Sequence, residues 1–500
     1  MKIYFIKIFI VFSFCVINIS NAQMQTEWVR RYYQSRGYAL DLDDSGNVFV
    51  TGAKDISASL TVCTTIKYNS SGDSIWVRDY QRSGTDLNVG RDMFMDNINS
   101  CIYVAGSVSL LKYNSDGELL WAAYDAIAFY KVVMDQEGNI YAGGMGSGKY
   151  GIVKYDQNGN IFWKRNNIGG YKFRDMKVDG NGNILILGES LTGGGSDYTT
   201  IKYSKSGALL WMKKYYGLAT PPQQSPGYLT IDDKNNIYVA GASYGASAVY
   251  NSTTIKYDSS GNEVWVKRIY PPSDGDGIAV DNEYNVYYAA RTSSNNYAIK
   301  LNQYGDLVWM KTYPLTNALV ANRLVVFLDS AKNFYMTATL NDPNTQYGVI
   351  KYDSDGNRQY VLSYSANPTS YNYVQDMKVD RNGSVYITGE SNNSIATVKY
   401  SILTNISPSQ NTPSDFYLQN YPNPFNPSTN ISFKIPSNGN VKLSVHDIDG
   451  KELKVLVNEF MTAGSHSINF TALDFSSGIY FYSLSVDGNL IGTKKMILLK

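Results

Sequence analysis

The segment Ile66-Lys67-Tyr68, with Trp76 eight residues after the tyrosine, recurs along this chain of 500 residues, and the recurrence limits its fold more than any other feature. The anchor lysines are Lys67, Lys112, Lys154, Lys202, Lys256, Lys300, Lys351 and Lys399, 42 to 54 residues apart. The Tyr-to-Trp spacing is eight in all seven complete copies, counting Leu301 at the Tyr position of the sixth and Tyr360 at the Trp position of the seventh. A spacing that never changes implies two strands joined by one fixed turn.

Each copy holds two hairpins. In the first, Met176 to Asp179 runs into the turn Gly180-Asn181-Gly182-Asn183, and Ile184 to Leu187 runs out to Gly188. Gly and Asn tolerate the positive φ that tight hairpins need. The other copies begin this turn at Asp43, Asp96, Asp135, Asp232, Asp281, Asp329 and Asp380. The second hairpin is Thr200 to Tyr203, the turn Ser204 to Gly207, then Leu209 to Lys213, with Ile201 and Tyr203 on one face and Lys202 on the other. These strands are A, B, C and D. Four short strands per unit of about 40–50 residues is the signature of a β-propeller, one copy per blade. The eighth copy stops after its C strand at Tyr400, while the chain begins with a lone D strand, Trp28 to Tyr32. Together the fragments make one blade and protect the sheet edges. The expectation is an all-β chain whose eight-bladed propeller, over residues 23–403, is closed by its N-terminal strand; seven blades is the alternative if one copy is degenerate.

Segments such as Thr254-Ile255-Lys256-Tyr257-Asp258-Ser259-Ser260-Gly261-Asn262-Glu263-Val264-Trp265 resemble the β-propeller repeats called SBBP repeats, over about residues 26–403. The resemblance implies a fold and leaves the ligand open.

Because strands alternate in direction, A–B and C–D turns share one face and B–C and D–A loops the other. The turn spacings are nearly constant, whereas Gly106 to Lys112 is six residues and Gly52 to Lys67 is fifteen. Binding surfaces sit on variable loops of a rigid scaffold, so the loop face is the expected one. Its longest loops carry Tyr198, Tyr216, Tyr228, Tyr244 and Tyr250 among Gly, Ser and Pro. Such rings suit a glycan or protein, supplying area and a hydroxyl. The bland alternative is that a chain with 43 tyrosines places some in loops by chance. The repeated lysines are expected to lay their stems between blades and meet turn carboxylates, and the tryptophans to pack between blades.

The two histidines, His446 and His466, lie outside the repeats, so no His-based triad or metal site can form there. Two carboxylates alone would serve a polysaccharide lyase or hydrolase, and that route stays open. No cofactor is expected; calcium at the Asp/Asn/Gly turns is the alternative, although they lack the bidentate Glu of an EF-hand loop. The net charge is +1 with no basic cluster, so no nucleic-acid partner is expected, and the protein reads as a monomer.

Residues 1–22 read as a secretory signal peptide: Lys2 and Lys7, an apolar run from Ile8 to Ile19, and small residues before cleavage between Ala22 and Gln23. A lipoprotein signal at Cys15 is the rival reading, opposed by Phe14. The remaining cysteines, Cys63 and Cys101, are expected as separate buried thiols rather than a disulfide, which export would permit.

Composition changes after Tyr400. Residues 404–418 read as a linker rich in Ser, Thr, Asn and Pro. Residues 419–500 then alternate as short strands, with hairpin turns at Asp449-Gly450 and Asp487-Gly488, in the manner of a small Ig-like antiparallel sandwich. The run Tyr421-Pro422-Asn423-Pro424-Phe425-Asn426-Pro427, then Val445 to Lys451, Ser477-Gly478-Ile479-Tyr480-Phe481-Tyr482 and Lys494-Lys495-Met496-Ile497, closely resemble the type A C-terminal sorting domain of the type IX secretion system. The resemblance implies transit through the periplasm, contact with the type IX machinery, loss of the domain on export, and for some cargo attachment to surface lipopolysaccharide. The whole reads as a secreted or surface-displayed binding protein without catalysis; the alternatives are a polysaccharide-cleaving enzyme and a structural surface-layer protein.

Overall fold

Each Asp/Asn/Gly turn of the repeats closes a hairpin, and two hairpins make one antiparallel sheet of order A-B-C-D. The computed structural model describes residues 24–402 and 417–500, apart from 83, 85–86, 219–222, 246–249, 271–273, 293, 315–323, 342–344, 367–371, 436–437, 448–450 and 487–488. The signal segment, the Ala22–Gln23 junction, residues 404–416 of the linker and the turns at Asp449-Gly450 and Asp487-Gly488 lie outside the described residues. Two units separate at Ile402.

In Met24–Ile402 the described residues form four-stranded antiparallel sheets over 35–80, 90–123, 128–169, 172–215, 224–269, 274–314 and 326–364, here the first to the seventh. The eighth joins Asn372–Val379, Val385–Ser391 and Ser394–Ile402 to the N-terminal strand Met24–Tyr33, paired antiparallel from Met24 opposite Ile402 to Tyr33 opposite Ser394. Each A strand packs against the A strand of the next sheet, and Asn372–Val379 packs against Ser35–Leu42. These are the blade-like sheets of a propeller repeat protein. The B strands are buried on both faces, as in Val48 to Ala53 and Ile184 to Leu187, because a sheet lies on either side of them. Cys63 and Cys101 are free, buried thiols, and burial pushes the Cys63 thiol up to about 12.

One tie recurs between sheets. The indole N–H of Trp28, Trp76, Trp121, Trp163, Trp211, Trp265 and Trp309 donates to a carbonyl in the C–D turn of the following sheet, at 3.0 to 3.4 Å. Six of the anchor lysines reach the same carbonyls at 2.8 to 3.3 Å, and two of these, Lys154 and Lys202, also meet the expected turn carboxylates, Asp135 at 3.7 Å and Asp179 at 2.8 Å. The ammonium also sits over the neighbouring B-strand ring, as that of Lys300 does over Tyr287 at 5.0 Å. In the fourth sheet Leu185 holds that ring position and Lys202 pairs with Asp179 at 2.8 Å. The turn glycine lies flat against the tryptophan: Gly207 has φ 82°, and a methyl group on it would come within 2.8 Å of the Trp163 ring. Trp28 and Lys399 of the eighth sheet make this tie to Ser70 of the first.

Tyr360 is now explained. The sheet after it is the eighth, whose C and D strands come from distant parts of the chain and have no turn between them. A tryptophan there would have no glycine to cover and no turn carbonyl to meet. Lys351 beside it rests on Tyr335 and Tyr360, and burial lowers its ammonium pKa.

All eight D strands carry a β-bulge just before the Trp position. Lys202 pairs with Trp211 and Tyr203 with Leu209, leaving Leu210 unpaired. A bulge blunts an outer edge strand against further pairing.

The C-terminal unit is a sandwich of a three-stranded sheet (Tyr417–Tyr421, Ser428–Ile435, Gly464–Thr471) and a four-stranded one (Gly439–His446, Glu452–Met461, Gly478–Val486, Asn489–Leu498). Phe433 and Phe470 from one sheet meet Leu443, Leu484 and Met496 from the other in one core.

Candidate functional site

The A strands border a common cavity. The two positions that face it lie two and four residues before each turn aspartate, so its wall can be read around the sheets. The eighth, first, second, third and fourth sheets supply Asp376, Lys378, Ala39, Asp41, Asp92, Phe94, Lys131, Val133, Asp175 and Lys177, whereas the fifth, sixth and seventh supply Tyr228, Thr230, Gly277, Ala279, Val325 and Phe327. Most of these residues border a cavity of about 280 Å3. Its carboxylates are committed. Asp376 accepts the Leu40 N–H at 2.9 Å, Asp41 that of Met95 at 2.9 Å, Asp92 that of Val132 at 3.0 Å, and Asp175 that of Leu229 at 3.2 Å. Each bond crosses to the next sheet. Lys131 pairs with Asp92 at 3.1 Å and Lys378 with Asp41 at 3.2 Å. Burial disfavours the Lys378 charge, but Asp41 and Asp376 more than offset it and raise its pKa.

A second recess, of about 500 Å3, opens on the turn face between the first and last sheets, bordered by Asp43, Asp44, Lys378, Asp380, Arg381 and Lys399. The loop face was the expected one. Here too the acids are occupied: Asp43 accepts from the Ser45 and Asn47 amides, and Asp380 from those of Asn382 and Ser384.

The five candidate tyrosines separate. Tyr198 is buried, packed at a tilt against Tyr215 with ring centroids 5.5 Å apart, because strand C begins at Gly195 and holds it opposite Glu189; it is therefore no part of a surface. Tyr228 lies on strand A and borders the cavity between the A strands. Tyr216, Tyr244 and Tyr250 remain on the loop face. Tyr244 and Tyr250 meet edge to face at 4.5 Å, and Tyr216 and Tyr250 are 46% and 37% exposed. Gln223 and Gln224 hold them near one another: Gln224 donates its amide to the Tyr216 carbonyl at 2.9 Å, and the Gln223 carbonyl accepts the Tyr244 N–H at 3.1 Å. The repeat also contains tyrosines four residues after the Trp position, at Tyr32, Tyr80, Tyr215, Tyr313 and Tyr364, which the five candidates omit. Their signal is the spacing Trp-x-x-x-Tyr. Several contact cations or other rings at this end of the D strand, as Lys54 does Tyr32 and Tyr124 does Tyr80.

In the C-terminal unit the proline-rich run is tied to the last strand. Phe425 is buried; its N–H donates to the Ile497 carbonyl and its carbonyl accepts the Leu499 N–H. Asn423 donates to the Lys495 carbonyl at 3.1 Å and accepts the Ile497 N–H at 2.9 Å. The Pro422 carbonyl accepts from Thr429 at 2.8 Å, and that of Pro427 accepts the Ala472 N–H at 2.9 Å. Pro424 and Asn426 flank Phe425 on the exposed side, and Tyr421 is 81% exposed. Gly478 opens the strand in which Tyr480 donates to the Ser476 carbonyl at 2.8 Å. Lys494 and Lys495 are exposed. The run thus pins the terminal strand and leaves one ring and two cations outward. Residues 419–499 match a family model described as "Secretion system C-terminal sorting domain". The C-terminal unit is a secretion-system sorting domain. This sorting domain directs export through the type IX system, to the cell surface or the extracellular space.

No curated protein matches the chain. Among solved structures, the virginiamycin B lyase of Staphylococcus aureus is similar at 10% identity and TM-score 0.42, covering 75% of this chain and 99% of that one. A streptogramin B lyase is similar at 11% identity and TM-score 0.41, covering 75% and 98%. A protein of unknown function from Bacteroides caccae is similar at 15% identity and TM-score 0.33, covering 53% and 93%.

Proposed function

We propose that residues 24–402 form one eight-bladed propeller, closed by Met24–Tyr33, that binds a glycan or a protein without catalysis after export. The signal segment directs the first membrane crossing, and surface display or release follows the sorting step. One observation carries the non-catalytic reading: Asp41, Asp92, Asp175 and Asp376 each accept a backbone N–H of the adjoining sheet. Carboxylates engaged in this way hold the scaffold together and are poorly placed to exchange protons with a substrate. The aromatic ledge of Tyr216, Tyr244 and Tyr250 offers area and hydroxyls on the loop face. The cyclic packing of the A strands and the Trp28–Ser70 tie support eight blades and closure. The turn carboxylates are filled by amides of their own turns, which supports a protein that needs no calcium.

The test is a glycan array and a surface-protein capture screen on the purified chain, beside a polysaccharide-degradation assay. Binding without degradation, lost when Tyr216, Tyr244 and Tyr250 are changed to Ala, is the expected result. Binding that survives the triple change would remove the ledge from the reading, and polysaccharide cleavage would replace it with the enzyme.

A further inference from the structure

Three segments of the fourth and fifth sheets carry no charge. Charged residues make up 17% of the chain, yet residues 190–196, 215–231 and 237–255 contain none. The second and third of these carry Tyr216, Tyr244 and Tyr250, and the first is held to them where Ser196 donates to the Gln224 carbonyl at 2.8 Å. Elsewhere the loop face is charged, with Lys54, Asp55 and Asp79 on the first sheet and Lys164, Arg165 and Lys172 on the third and fourth. The charges that border the neutral sector are used inside the chain. Glu189 pairs with Arg174 and Lys172. Asp197 accepts from Ser190, Thr192 and Thr199 and pairs with Lys214 at 3.3 Å. Arg268 donates to the Tyr215 hydroxyl.

The open groups of this sector are neutral as well. Among the described residues, the hydroxyls of Tyr216 and Tyr244 and the side-chain amide of Gln223 have no partner within the chain. Phenol hydroxyls and an amide both donate and accept, which suits a ligand made of hydroxyls. Each ring adds an apolar face of negative quadrupole, to which the weakly positive C–H groups of a sugar ring are complementary. Tyr244 and Tyr250 are inclined at 70° to one another, so they present two planes instead of one. An anionic polymer would find no free cation here, and its carboxylates or sulfates would lose water with nothing in exchange. A protein partner covers about 800 Å2 on each side with a polar rim, and its charged side chains would meet none of opposite sign in these segments.

We propose that the ledge of Tyr216, Tyr244 and Tyr250 takes an uncharged glycan, one without carboxylate, sulfate or phosphate groups. This ligand class rests on the loop-face binding proposed above and narrows it. The test is retention of the purified full chain on immobilised glucan, mannan and xylan, which are neutral, and on polygalacturonate and dextran sulfate, which are anionic. Each is run at about 0.01 M and about 1 M salt, over which the Debye length falls from about 30 Å to about 3 Å. The expected result is retention by a neutral polymer that changes less than about twofold with salt. Tyr216→Ala with Tyr250→Ala should weaken it by about tenfold or more, with an unchanged near-UV circular dichroism spectrum. Tyr216→Phe keeps the ring and removes one hydroxyl, so about fivefold is expected. A preference for an anionic polymer, weakened by salt and lost in the double variant, would overturn the uncharged class and leave loop-face binding standing. A protein partner lost in the double variant, with no polymer retained, would do the same. Retention by a neutral polymer that the double variant leaves unchanged would overturn both, as would an absence of any polymer or protein partner.

Discussion

The two faces of the repeat unit are built on opposite rules. On the turn face one device is copied from sheet to sheet: a tryptophan and a lysine converge on a carbonyl of the next turn, over a glycine. On the loop face the ties of the first and fourth sheets differ. Arg36 holds Asp55 in the first, whereas in the fourth Arg174 holds Glu189 and Asp197 collects Ser190, Thr192 and Thr199. Repetition supplies a rigid frame on one side, and this frees the other to vary in length and chemistry.

The largest test of the comparison is to remove the copied device where the chain begins. Deleting residues 24–33 takes an edge strand from the eighth sheet and the tie to the first, and should abolish cooperative unfolding of the repeat unit in urea. Trp28→Ala should cost about 3–5 kcal/mol by the same measurement. Next come two turn glycines with the same backbone strain. Gly207→Ala must adopt φ 82° and also meets the Trp163 ring, so about 2–4 kcal/mol is expected. Gly383→Ala has φ 79° with nothing within 4 Å, and should cost about 1 kcal/mol. Equal losses would show that strain, and not the ring contact, is what the turn face protects.

Acid tests both faces together. Burial pushes the Asp179 and Asp197 carboxyls up, but Lys202 and Asn183 around the first, and Ser190, Thr192, Thr199 and Lys214 around the second, bring both below the usual range. A depressed folded pKa means stability that is present at neutral pH and lost as pH falls through that value. Urea midpoints should therefore decline below about pH 4, the ordinary carboxylate pKa. Asp179→Asn and Asp197→Asn should each flatten part of that decline, which separates the faces. The smallest stability effect belongs to the variable side: Tyr216→Ala and Tyr250→Ala should each change stability by less than about 0.5 kcal/mol.

Much of the frame was legible from spacing. The eight-residue interval from Tyr to Trp and the repeated Asp turns locate every C–D and A–B hairpin, because a tight turn leaves no freedom in length. The bulge was implicit there too, since Lys202 opposite Trp211 and Tyr203 opposite Leu209 require one extra residue. Tyr198 misled because the loop hairpins extend their strands past the end of the apolar pattern, so a residue taken for loop is held in the ladder. Tyr228 misled for the same reason, as its strand starts at Gln224. The turn-face recess could not be read at all: Asp43 and Arg381 border one space although they lie at opposite ends of the repeat array. Phe425, known from the sequence only as part of the proline-rich run, is core, because its apolar ring fits between the two sheets of the sandwich.

Tyr360 marks the neighbour of the shared sheet. Among the described sheets, the one departure from tryptophan stands one sheet before the one without a C–D turn, whose D strand is Met24–Tyr33. Joining Tyr400 to Thr26 through a glycine-containing turn, and opening the chain in another D–A loop, would move the break. Tyr360→Trp would then have a glycine to cover, and the tryptophan before the new break would become the one free to change.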